Sequence, residues 1–212
     1  LLVAIAELRQ RDRTRMEALF DLMARAGMVL AAVVLGAIFV FAPAFVRLWL
    51  GGGAAVTGAA NAARLFTLAV ALNLLSAPLA VRAFGEGWHT LAAAGSAANM
   101  VVNAGLSLVL TMVVGFNGAL YGSIAGNLVG TAVFFLLMRL RMGHRWAPPP
   151  CRALLVGTAG AAVASLVGLG RVGSWPTLVA VGAGYVAIVG IACVRAERLP
   201  LVEILSGRVQ AA

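Results

Sequence analysis

The chain has 212 residues, 62% of them hydrophobic and only 11% charged, with a mean hydropathy of +1.01. About six separate stretches of twenty-odd apolar residues exclude a soluble domain, which would have to expose them, and match the roughly 20 residues a helix needs to cross hydrocarbon about 30 Å thick. The net charge of +9 comes from 16 basic residues, all arginine, set beside those stretches, so it reads as membrane topology and not as a nucleic-acid surface.

Leu1–Ala6 is too short to span and has no basic leader. It reads as the tail of a helix that starts upstream, so the chain is expected to be a fragment. Residues 7–25 read as a charged connector at the membrane surface, with Glu7/Arg11 and Asp21/Arg25 spaced as i,i+4 ion pairs in the favourable order. With that tail they form a first region, 1–26. Spans follow at about 27–50, 62–83, 89–113 and 118–138. Pro43 and Pro78 lie inside the first two and predict kinks. Gly51-Gly52-Gly53 marks a turn. Gly115-Phe116-Asn117-Gly118 is so short that the third and fourth spans must form an antiparallel hairpin. Region 27–141 is thus a four-helix unit. A Pro-rich linker, 142–152, separates it from a terminal pair, 153–194, with spans at about 153–170 and 175–194. A tail, 195–212, closes the chain. Ser174 before Trp175-Pro176 marks the start of the last helix.

The reading is an all-α, polytopic membrane bundle of about six transmembrane helices. Arginines set its orientation. Arg47, Arg64 and Arg171 fall at span ends on one side; the other 13 of the 16 fall on the opposite side. That split places both termini in the cytoplasm and favours an even number of spans.

Gly118, Gly122, Gly126 and Gly130 recur every four residues on the fourth span; Gly95, Asn99, Asn103 and Ser107 do so on the third. Small stripes let helix backbones approach closely, and amides can hydrogen-bond across the contact. The simplest reading is a packing seam. The functional alternative has Asn99 and Asn103, joined by Asn73, facing a hydrated cavity and a polar cargo. Arg64 and Arg82 either snorkel to the interface or line a cavity and attract an anion such as a diphosphate. No acid lies inside a span, which disfavours a proton relay. His89 and His144 lie far apart, and no HExxH, acid–His–Ser or phosphate-loop pattern is present, so no enzyme activity is expected. Cys151 and Cys193 lack metal-ligand spacing and read as free thiols, with no metal or cofactor expected.

Three segments carry a resemblance: "APAFVRLWLGG" (Ala42–Gly52), "ARLFTLAVALNLLSAPLAVRAFGEG" (Ala63–Gly87) and "ANMVVNAGLSLVLTMVVGFNGALYGSIAGNLVG" (Ala98–Gly130). Together with the charged connector, their order over residues 1–141 resembles the C-terminal half of a polysaccharide-exporting flippase of the multidrug/oligosaccharidyl-lipid/polysaccharide transporter superfamily. Gly115, Gly118 and Ala119 fill the family's tight Gly-x-x-Gly-Ala turn. The resemblance implies one part of a two-lobed transporter of the bacterial inner membrane, which moves a lipid-linked oligosaccharide between leaflets for surface polysaccharide synthesis. The implied partners are membrane lipid, the lipid-linked glycan and a missing N-terminal lobe. Asn73, Arg82, Asn99 and Asn103 are the expected cavity-side residues. A multidrug or cation antiporter of the same superfamily and a non-transporting membrane scaffold stay open as alternatives. A membrane glycan polymerase is disfavoured by the lack of a large charged loop.

Overall fold

A computed structural model describes residues 13–143 and 151–199. They form six helices and no strand: α1 Arg13–Leu50, α2 Ala54–Gly85, α3 His89–Val114, α4 Phe116–Met142, α5 Arg152–Leu166 and α6 Trp175–Glu197. Five contain segments long and apolar enough to cross a membrane. The molecule is an all-helical, multi-pass membrane protein.

Several boundaries differ from the sequence reading; α2, for one, starts at Ala54 and not at about 62. From Arg13 on, the connector and the first span are one helix, because Gly27 alone, with open space beside it, does not break α1. Glu17 stands 3.6 Å from Arg82 on α2, so this end of α1 packs on its neighbour. The expected Asp21–Arg25 pair forms, at 2.7 Å. Glu7 and Arg11 lie outside the described residues, as do most of the tail and most of the Pro-rich linker. The expected span 153–170 is helical only to Leu166, and α5 is 15 residues long. Its exit runs through Gly168, whose φ of +80° suits glycine, to Gly170, where a Cβ would sit 2.5 Å from the Val40 carbonyl of α1. The chain there hugs α1 too tightly to hold a helix. Backbone freed from helix at membrane depth needs partners; Arg47 supplies one, donating to the Val172 carbonyl at 2.6 Å.

Helices consecutive in the chain alternate in direction. Tyr185 of α6 meets Gly36, and Arg25 donates to the Glu197 carbonyl at 3.1 Å, so α6 runs antiparallel to α1. Gly157 meets Ala32 while Gly170 meets Val40, so α5 runs parallel to α1. The arginines sort accordingly. Arg25, Arg82, Arg139, Arg141, Arg152 and Arg195 gather at one end; Arg47, Arg64 and Arg171 lie toward the end with the Gly51–Gly53 turn.

Two cores hold the bundle. The larger joins α1, α5 and α6 through Met28, Val40, Phe41, Ala161, Tyr185 and Val189. The smaller joins α2 and α4 through Leu79, Ala83, Phe134 and Met138. The terminal pair therefore packs directly on α1. Glu197, 2% exposed, takes the Ala153 N–H on its Oε1 at 2.7 Å and so caps α5 from another helix. At α6 the predicted cap is present: Ser174 accepts from the Thr177 N–H at 3.4 Å.

Both prolines sit in helix interiors. Pro43 has no N–H to offer the Phe39 carbonyl four residues earlier. Arg64 of α2 takes that role, donating from Nε at 3.0 Å, with its guanidinium carbon 5.3 Å from the centre of the Phe39 ring.

Candidate functional site

The α3–α4 hairpin turns at Gly115, φ +74°, where the Gly118 N–H closes on the Gly115 carbonyl at 2.8 Å. From there the two helices pack along their whole length. Gly118, Gly122, Gly126 and Gly130 are all buried in the seam. A Cβ on Gly126 would lie 2.6 Å from Asn103 Cβ, and one on Gly130 would lie 2.6 Å from Asn99 Cβ. Gly118 faces Leu110 and Gly122 faces Ser107 just as closely. The stripe is a close-packed contact, as its spacing indicates.

The asparagines divide between two jobs. Asn103 belongs to the seam: its Oδ1 accepts from Ser107 Oγ at 2.8 Å and Ser123 Oγ at 3.2 Å. Asn99 and Asn73 converge on Asn127 of α4. Asn127 Oδ1 accepts from Asn99 Nδ2 at 2.8 Å and from Asn73 Nδ2 at 3.3 Å, while its Nδ2 donates to the Ala69 carbonyl of α2 at 3.1 Å. Thr131, one turn on, donates to the Leu72 carbonyl at 3.2 Å. One amide thus ties three helices together.

α3 is held by α4 and barely touches α2. The gap is a cleft of about 360 Å³ with α4 as its floor. Its polar lining is Asn73, Ser76, Ser96, Asn99, Asn127 and Thr131; Phe84 and Phe134 supply apolar wall. Among the described residues, no charged one lines it. Asn73 Oδ1 has no donor among the described residues, so the cleft offers an amide oxygen beside hydroxyls, while Asn99 Oδ1 turns toward Gly126 in the seam. Such groups both donate to and accept from a polyhydroxylated ligand.

Arg82 lies elsewhere. Its guanidinium stands 3.6 Å from Glu17 and 3.6 Å from Glu86, outside the cleft lining, with its charge already answered. His89 stacks on Phe84, with ring centroids 5.7 Å apart, and Trp88 lies under Arg141. Cys151 and Cys193 are both free thiols.

Asn127 is the residue the sequence reading missed. It sits beside the glycine stripe, not on it, and the stripe draws attention to the α3 face. The signal for it is Thr131, one turn away: together they form a second, polar face on α4 pointing toward α2. No family model, curated protein or solved structure matches this chain.

Proposed function

We propose that this chain is part of a membrane transporter that moves a lipid-linked oligosaccharide across a bacterial inner membrane, with both termini cytoplasmic. The observation that supports it is the uncharged cleft built on Asn73, Asn99 and Asn127 inside an otherwise apolar bundle. A glycan loses its water hydrogen bonds on entering hydrocarbon, at a cost of several kcal/mol per unpaired group. Amides and hydroxyls replace those bonds without imposing a charge. The lipid tail stays in the membrane beside the bundle. Rocking of this unit against a second lobe then exposes the cleft to each side in turn.

The sugar, not the diphosphate, is the moiety assigned to this cleft. Arg82 is a poor diphosphate ligand because two carboxylates already face it. Its expected role in binding cargo gives way to Asn127, and Asn103 serves the helix seam.

Accumulation of lipid-linked glycan on the cytoplasmic leaflet tests the reading. A strain lacking the intact protein should accumulate it. Asn127→Ala should do so in part, at unchanged membrane abundance, while Leu128→Ala, on a 55% exposed side chain, should not. Normal translocation in the deletion strain, with no redundant flippase, would overturn the proposal and favour a scaffold. Normal glycan flux with loss of drug efflux would favour the antiporter.

A further inference from the structure

Pro43 leaves the interior of α1 one hydrogen bond short. The Phe39 carbonyl that lost its donor lies well inside the apolar stretch Phe20–Leu50, at a depth where a freed backbone group needs a protein partner. Arg64 answers it from α2 at 3.0 Å, and Arg64 too lies well inside its own apolar stretch, Ala55–Gly85. A charged side chain at that depth is costly and is kept for a specific task. The guanidinium is half-buried, with Nε on the carbonyl and its plane beside the Phe39 ring. What the gap in α1 separates shows what that task is.

Before the gap, α1 is fixed to the bodies of α5 and α6: Ala32 lies against Gly157, and Gly36 lies against Tyr185. Phe41, inside the gap, meets the Tyr185 ring edge-on at 5.6 Å. From the gap onward, the contacts pass to the α5–α6 connection and the start of α6. Gly170 packs on the Val40 carbonyl, Arg47 donates to the Val172 carbonyl at 2.6 Å, and Phe45 meets the Trp175 ring edge-on at 5.7 Å. The last turns of α1 and residues 168–175 thus form a cap with its own fastenings. α1 enters that cap across a break in its hydrogen-bond ladder. Arg64 comes from α2, which belongs to neither part, and its bond ties α1 to α2 at the break.

We propose that α1 is hinged at Pro43 and that Arg64 is the latch of that hinge. With the latch closed, α1 is a continuous rod held against α2. With it open, the Phe39 carbonyl loses its partner, and the last turns of α1 move with residues 168–175 as a separate cap around the Phe41–Tyr185 contact. A proline is where a helix bends with no further bond to break, and hinges absorb their motion over a few residues. Arg64 is therefore a positioning residue that acts through the backbone of α1. The hinge is separate from the asparagine cleft and holds whether or not the chain transports glycan.

Hydrogen–deuterium exchange of the purified chain in detergent reads the hinge, because local opening sets the exchange rate. Arg64→Gln should speed exchange of the amides of residues 44–47 about tenfold, the scale of one bond from a charged donor, and leave residues 99–130 unchanged. Arg171→Gln, on the exposed α5–α6 connection, should not speed it. Pro43→Ala supplies the missing N–H within α1. In that background Arg64→Gln should change the same amides by less than about twofold, because the Phe39 carbonyl then has a partner in its own helix. The double variant keeps the test decisive if Arg64→Gln alone fails to fold: it should fold and exchange as Pro43→Ala does. No acceleration in Arg64→Gln, an equal acceleration in Arg171→Gln, an acceleration that persists in the Pro43→Ala background, its spread to residues 99–130, or a double variant that does not fold would each overturn the proposal.

Discussion

The α3–α4 hairpin and the α1–α5–α6 trio solve the same problem in different ways. Lipid tails are as apolar as leucine, so burial alone does not drive helices together in a membrane. The hairpin relies on removing side chains: four glycines bring backbones close enough for Asn103, Ser107 and Ser123 to bond across the seam. The trio relies on filling space with Met28, Val40, Phe41, Tyr185 and Val189, with one buried carboxylate, Glu197, as its polar fastening. Close contact made by absence tolerates no added volume. Contact made by interlocking side chains tolerates exchange of similar shapes and depends on its few polar links.

The largest expected effect is on the hairpin. Gly126→Leu should destabilise the protein by about 3 kcal/mol or more, because the seam has no room for even a Cβ and the helices must part. Thermal unfolding in detergent measures it, and a shift no greater than that of Leu128→Ala would show that the seam can open at little cost. Next comes the trio's fastening. Glu197→Ala strands the Ala153 N–H in a fully buried position and should cost about 2 kcal/mol. Cys193, 0% exposed, reports it: maleimide should label Cys193 faster in the variant, and unchanged labelling would mean that packing alone holds α5 and α6 on α1. The smallest effect has the opposite sign. Tyr185 buries a hydroxyl without a hydrogen-bond partner among the described residues. Tyr185→Phe should leave stability unchanged or raise it by up to about 1 kcal/mol. A clear loss would show that the hydroxyl carries a link, making the trio more like the hairpin.

What the sequence shows and what it hides follows from this contrast. The hairpin was legible because both stripes repeat every four residues and a four-residue turn fixes which faces meet. The spans were legible from apolar length. The α1–α5–α6 core was not, since nothing in its residues names a distant partner. The unbroken α1 was hidden because a charged segment joined to an apolar one reads as two elements, although no residue between them ends a helix. α5 stops early through its contact with Val40, a tertiary cause. Of the expected site residues, Asn73 and Asn99 meet in the cleft, Asn103 turns into the seam, and Arg82 is held by carboxylates whose proximity no local pattern encodes. Asn127 escaped notice because its partners lie on two other helices.

The four-residue repeat along α3 and α4 also leaves the hairpin with an ambiguity of registration. A slide of one helical turn, about 5.4 Å, would bring a small residue opposite a glycine at almost every step. Shape alone thus gives the two helices several equivalent notches. The side chains that tell them apart are polar: Asn103 must find Ser123, and Asn99 must find Asn127. Those amides act as the key that selects one notch, and the single glycine at position 115 leaves too little slack in the connection for the others.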